Sequence, residues 1–146
     1  MVPTEIRVIY GDTDQMGVVY YANYLRFFEA GRNEFLRAKG ARYRDVEARY
    51  GILLPVVEAN LRYRHPARYD DLIRVETWIA ELRRASARFE YRVVRVEDEH
   101  LLVEGYTAHA CIDLEHKPRR LPAEVITLLG GVSAGVDAQG EGGAQG

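Results

Sequence analysis

The stretch that most constrains this chain runs from Tyr10 to Tyr24. It reads Tyr10-Gly11-Asp12-Thr13-Asp14-Gln15-Met16-Gly17-Val18-Val19-Tyr20-Tyr21-Ala22-Asn23-Tyr24. An extended, β-branched run (Ile6, Val8, Ile9) leads in, and a long helix-like run leads out. Backbone N–H groups at a helix N-terminus have no intrahelical acceptor and carry the positive end of the helix dipole. They can hold a developing oxyanion. A carboxylate just upstream can serve as base or nucleophile. Asp14 lies seven positions before Tyr21, enough to cross the turn and leave the acid facing the helix start. An isolated D-x-x-G also has a plainer reading: Asp12, Thr13 and Asp14 bond their own backbone, and Gly17 supplies a positive φ.

The pattern along the chain is one of a helix followed by strands. Thr4 to Tyr10 reads as a strand with Ile6, Val8 and Tyr10 on one face. The spacing predicts a helix over 22–39, with Tyr24, Phe28, Gly31, Phe35 and Ala38 on one stripe, taken as core. Gly31 costs a helix about 1 kcal/mol relative to alanine, so a backbone passing close to it is expected. A short helix follows over 43–50, with Gly51 as its stop. Then come strands over 54–65, 72–82, 87–96 and 101–114. Pro55 confines the first of these to an edge or strand end. Gly105, Ala108 and Ala110 suit close approach by the helix. A closing helical turn is expected over 123–129. Residues 130 to 146 hold seven of the thirteen glycines and read as a disordered tail after a domain over 1–129. This periodicity gives the α+β class and no more. One helix can hardly cover both faces of five long strands, so self-association is expected.

Composition removes several function classes. The net charge of −2 supplies no basic field to recruit nucleic acid. Cys111 is the only cysteine, so neither an intrachain disulfide nor a cysteine metal cluster can form. Pro3, Glu5 and Arg7 interrupt any apolar start, no apolar run is long enough to span a bilayer, and a cytosolic protein is expected. His65, His100, His109 and His116 have no metal-ligand spacing. His109 and Cys111 share a strand face, but a buried structural cysteine is expected there rather than a nucleophile.

The extended string from Tyr10, continued by Phe27-Phe28-Glu29-Ala30-Gly31-Arg32, closely resembles the signature of the 4-hydroxybenzoyl-CoA thioesterase-like hotdog-fold family. It is most like the acyl-CoA thioesterase branch that includes the Tol–Pal-associated enzymes. The resemblance spans about residues 4 to 129. It implies a curved antiparallel sheet wrapped round one long helix. It also implies hydrolysis of an acyl-CoA to free acid and coenzyme A, and a homodimer joined edge to edge, often paired into a tetramer, with the active site between protomers. The acid matching Asp14 is then catalytic, and the amide matching that of Tyr21 polarises the thioester carbonyl. Some Tol–Pal-branch members carry histidine where this chain has Tyr21, so an imidazole-assisted variant is excluded. No cofactor is expected, because coenzyme A enters as part of the substrate and leaves as product.

Beside the resemblance, the residues leave several choices open. Asp14 could activate water or attack directly to form a mixed anhydride. Gly17 would let substrate approach closely. Tyr10 and Tyr20 could line the acyl pocket or serve as core aromatics. Two carboxylates so near each other repel if both face one cavity, so Asp12 is assigned a structural role in the turn. Arg83, Arg84, Ser86 and Arg88 cluster at a strand–strand turn and could grip the phosphates of coenzyme A, or simply form a solvated hairpin end. Arg119 and Arg120 are the second choice for those phosphates. A non-catalytic acyl-CoA-binding or sensing module is the rival of another class. A hotdog dehydratase or hydratase would need a histidine near the helix start, and no histidine precedes His65.

Overall fold

The computed structural model describes residues 2–130, which contain seven strands and three α-helices. In chain order these are β1 (Val2–Arg7), α1 (Asn23–Ala38), α2 (Tyr43–Tyr50), β2 (Ile52–Leu53), β3 (Val56–Tyr63), β4 (Leu72–Arg83), β5 (Ser86–Arg95), β6 (His100–Ala110), β7 (Ile112–Asp113) and α3 (Ala123–Gly130). Five strands form one sheet in the order β1-β4-β5-β6-β3, and β2 pairs with β7 in a second. The expected α+β class holds. The glycine-rich tail expected from residue 130 lies outside the described residues, except for Gly130, which ends α3. Two compact units are present. The first holds the chain up to Phe35, with Asn60–Trp78 and Glu90–Gly105. The second holds Leu36–Ala59, Ile79–Phe89 and, among the described residues, 106–130.

The first unit is built on the aromatic stripe of α1. Tyr24, Phe27 and Phe28 are buried, as are Ile73, Val75 and Thr77 of β4 and Tyr91 and Val93 of β5. Alternation along each strand sends these residues to one face. Phe28 stacks on Tyr91 with ring centroids 4.1 Å apart. Each such fully buried side chain contributes roughly 1.5–3 kcal/mol. Arg32 is buried beside them, and its Nη1 donates to the Tyr91 hydroxyl at 3.1 Å.

Gly31 is indeed a point of close approach, but the neighbour is side chain rather than backbone. A Cβ there would meet Thr77 Oγ1 at 2.5 Å and Val75 Cγ1 at 2.9 Å. Gly105 departs further from expectation. Its missing Cβ makes room for the adjacent strand, not for the helix: an added Cβ would lie 2.0 Å from the Asn60 carbonyl oxygen.

In the second unit α2 ends on Gly51, whose φ of 63° is left-handed and whose N–H donates to Glu47 O at 2.9 Å. Arg119 Nη1 donates to the carbonyls of Tyr50 and Gly51 at 2.6 and 3.1 Å. Those are carbonyls the helix leaves without an N–H partner. The strand expected over 101–114 is broken at Cys111. β6 ends at Ala110, and Ile112–Asp113 then pairs with Ile52–Leu53. Buried His109 holds Leu54 O with Nδ1 at 2.9 Å and the Thr107 hydroxyl with Nε2 at 2.8 Å. A carbonyl only accepts, so Nδ1 carries the proton and Nε2 accepts from Thr107. The Cys111 thiol contacts the Arg120 carbonyl instead, and burial pushes its pKa up. Cys111 is thus the structural cysteine expected.

The two glycines give ordered predictions. Gly31→Ala lowers the unfolding free energy by about 1–3 kcal/mol, despite the ~1 kcal/mol helix-propensity gain of alanine. Gly105→Ala is the more damaging, because a backbone oxygen in a paired strand cannot swing aside. Urea denaturation midpoints check both, and a stabilised Gly31→Ala protein would overturn the packing explanation.

Candidate active site

Strand β1 stops at Arg7 instead of continuing to Tyr10 because the Asp12 side chain turns the chain. Asp12 Oδ2 accepts the Ile9 N–H at 3.0 Å, and Tyr10–Asp12 forms a single 3-10 turn. Tyr10 therefore leaves the core and is 72% exposed, stacked face to face on Tyr69 at 3.9 Å. Of the two uses open to Tyr10, the core role is not realised.

Asp12 is only 4% exposed and is saturated with bonds. Its Oδ1 also takes the Arg26 guanidinium. Its backbone carbonyl accepts both the Tyr20 N–H and Asn23 Nδ2, each at 2.8 Å. The structural assignment of Asp12 follows from these partners.

Asp14 lies in a tight reversal of the chain. Its N–H donates to Val18 O at 2.9 Å, its carbonyl accepts the Gly17 N–H at 3.0 Å, and Thr13 bridges Val19. Gly17 sits at φ +82° with open space where a Cβ would be, as the reversal requires. Asp14 Oδ1 accepts the Met16 N–H at 2.9 Å. The plainer, turn-forming reading of this acid is therefore true of one of its oxygens. Among the described residues Oδ2 accepts nothing, and the side chain is half-buried. Next in the chain, Val19 N–H is anchored on Ala67 O at 2.8 Å.

Two of the three amides around the helix start whose fate bears on the site are bonded within the turn. Tyr20 N–H is taken by Asp12, and Asn23 N–H donates to Tyr20 O at 2.9 Å. Among the described residues no acceptor takes the Tyr21 N–H. The Tyr21 side chain is 61% exposed and lies against Tyr20, centroids 4.8 Å apart. The hydrogen bond to Tyr21, and then its charge, raises the Tyr20 phenol pKa, with smaller contributions from desolvation and the nearby Asp14 charge. Tyr20 thus stands near Asp14 as a neutral, half-exposed phenol.

The basic turn belongs to the second unit. Arg84 and Ala85 link β4 to β5, and their carbonyls accept the N–H groups of Leu121 and Cys111, both at 2.8 Å. Arg83 and Arg84 are exposed, and Arg83 pairs with Glu81 at 2.7 Å. Ser86 opens β5 beside them. The Arg88 guanidinium lies 4.3 Å from the Tyr106 ring centroid, and Tyr106 donates to Glu58 at 2.7 Å. Arg119 is committed to the end of α2, which leaves it poorly placed as an alternative phosphate ligand. Among the described residues no cluster of three His, Cys, Asp or Glu could hold a metal ion, and no helix is long and apolar enough to cross a membrane.

Sequence reasoning gave no role to Tyr63, Asn23 or Tyr69. Asn23 lay inside the motif. Tyr63 is 42 positions from its partner Tyr21, a separation that carries no local signal.

Residues 8–129 match the family model of the thioesterase-like superfamily. The chain belongs to that superfamily. It is 38% identical over 111 residues to the putative acyl-CoA thioesterase YneP of Bacillus subtilis, covering 76% of this chain and 79% of the relative. It is 37% identical over 122 residues to the acyl-CoA thioester hydrolase YbgC of Escherichia coli, covering 83% and 90%. A mutant 4-hydroxybenzoyl-CoA thioesterase solved with 4-hydroxybenzoyl-CoA superposes with a TM-score of 0.79 at 26% identity, covering 88% of this chain and 97% of that one. The hotdog fold implied by the motif is thus the fold of this chain, and membership carries the thioester-hydrolase class with it.

The four bonds on Asp12 generate a stability prediction. Asp12→Asn removes the charge opposite Arg26, which is itself more than half exposed. The loss is about 1–2 kcal/mol, a charge-assisted bond discounted for solvent screening. An unchanged urea midpoint would contradict the structural role.

Proposed function

We propose that the chain hydrolyses acyl-CoA thioesters, with Asp14 as the base or nucleophile and the Tyr21 N–H as oxyanion donor. The observation that carries this reading is a pairing within one unit. A half-buried carboxylate keeps one oxygen without a partner, and a helix start closely follows whose Tyr21 amide has no acceptor. An attacking oxygen adds to the thioester carbonyl carbon, negative charge collects on the carbonyl oxygen, and the C–S bond breaks as the thiolate leaves. On the base route the attacking oxygen is that of water and Asp14 takes its proton; on the nucleophile route the oxygen is Asp14's own, and water then hydrolyses the mixed anhydride to free acid and carboxylate. On either route the oxyanion needs a donor. In the first unit Gly17 leaves room at the turn, and Tyr20 and Tyr10 border it as exposed aromatics. Taken by itself, the turn of the second unit offers the exposed Arg83 and Arg84, with Ser86, as cations of the kind the phosphates of coenzyme A require. The names of YneP and YbgC support acyl-CoA as the substrate class. The Asp14–Met16 bond supports one rival, a non-catalytic acyl-CoA-binding module in which the acid only shapes the turn.

Thiol release by the wild type, with Asp14→Asn assayed beside it, decides between them. The asparagine keeps an oxygen for Met16, so the fold and acyl-CoA binding are retained while turnover falls by at least roughly 10²-fold. Turnover equal to an active wild type, measured by thiol release, would remove Asp14 from the catalysis, and no thiol release by the wild type itself would leave the binding module.

The same reading includes a homodimer with a shared site, pairing further to a tetramer. Edge strand β3 supports it: the sheet gives β3 one neighbour, β6, while Val56, Val57 and Tyr63 are exposed along it. Unpaired apolar edges invite a second copy of the same strand. Specific activity should therefore fall on dilution in step with the dimer population seen by sedimentation. A fully active monomer would overturn the shared site and leave Asp14 in place.

A further inference from the structure

We propose that Tyr63 is a positioning residue for the oxyanion donor, acting through the backbone of Tyr21. The inference rests on the reading of the Tyr21 N–H given above. Two peptide planes meet at the Tyr21 Cα. The first contains Tyr20 C=O and Tyr21 N–H, and the Asn23 N–H holds it through Tyr20 O at 2.9 Å. The second contains Tyr21 C=O and Ala22 N–H. It falls outside the helix ladder, because the Leu25 N–H goes to Ala22 O at 3.1 Å. Its carbonyl is held by the Tyr63 hydroxyl at 3.0 Å, from β3. With both planes held, neither dihedral at Tyr21 can drift, and the N–H keeps one direction. Without Tyr63 the second plane has no protein partner and turns toward water.

Tyr63 is suited to this task. Its ring lies edge-on to Tyr24 at 5.7 Å and to Tyr21 at 6.5 Å, so two aromatic contacts aim the hydroxyl. Burial first, and then the neighbouring Tyr21, push its pKa up, which keeps the hydroxyl protonated and donating at neutral pH. Tyr24 is itself fixed, its hydroxyl accepting the Ala67 N–H at 3.1 Å. The bond thus runs from a ring held by two aromatic contacts to the carbonyl that shares the Tyr21 Cα with the N–H whose direction matters. An amide misdirected by a fraction of an ångström stabilises charge less well in the transition state and leaves ground-state binding nearly untouched.

The test is Tyr63→Phe, which keeps the ring and removes the hydroxyl, with Asp14→Asn assayed alongside. In Tyr63→Phe kcat should fall roughly ten- to hundredfold while KM stays within about twofold. The Ala22 amide resonance, which shares its peptide with the Tyr21 carbonyl, should move upfield in the 15N–1H spectrum as that carbonyl loses its donor. Wild-type kcat in Tyr63→Phe, with Asp14→Asn inactive, would overturn the positioning role alone. A raised KM at unchanged kcat would make Tyr63 a substrate contact and also overturn it, as would a fixed Ala22 resonance. Full activity in Asp14→Asn would instead remove the catalytic reading on which the role depends.

Discussion

Asp12 accepts four hydrogen bonds, and the geometry around the helix start depends on them. One carboxylate oxygen stops β1 by taking the Ile9 N–H, and the other reaches Arg26 on the first turn of α1. The backbone carbonyl of the same residue gathers the Tyr20 amide and the Asn23 side chain. A single buried residue therefore ties the end of a strand, the reversal that carries Asp14 and the beginning of the helix into one piece. A buried carboxylate is costly unless its acceptor sites are filled. Here they are filled by the Ile9 N–H and the Arg26 guanidinium, so satisfying Asp12 also fixes the end of β1 against the first turn of α1.

This arrangement divides labour between two acids that local sequence makes almost equivalent. Asp12 is enclosed and saturated. Asp14, two residues on, spends one oxygen on the turn and keeps the other open. Their difference comes from the 3-10 turn, which faces one side chain inward to Arg26 and leaves the other at the rim of the reversal. The same principle governs the helix-start amides. Those of Tyr20 and Asn23 are consumed in building the turn, and that of Tyr21 is spared.

Much of this was legible in the residues, for physical reasons that differ by element. The long helix, the short one after it and the three central strands follow from apolar spacing that burial enforces on Phe28, Val75 and Tyr91. The roles of Asp12 and Cys111 followed from charge repulsion and from the usual burial of thiols. Tyr10 went astray because alternation predicts a strand only until a side chain captures the backbone, and the Asp12–Ile9 bond does so. Gly105 was read correctly as a close approach and given the wrong neighbour, since a sequence shows a missing Cβ but not what fills the space. Tyr63 could not be read at all: its meaning is a bond across 42 residues. The ring of Tyr106 against Arg88 was equally out of reach of local sequence, since the two lie on different strands.

The sole thiol of this chain has a practical side. Cys111 is 1% exposed, and burial holds its sulfur in the unreactive protonated form. A maleimide or haloacetamide meets no competing nucleophilic sulfur on the folded protein. The natural sequence is therefore already a background for single-site labelling. A cysteine placed at an exposed position such as Met16 would carry a fluorophore or spin label on the reversal beside Asp14, with the native thiol left where it is.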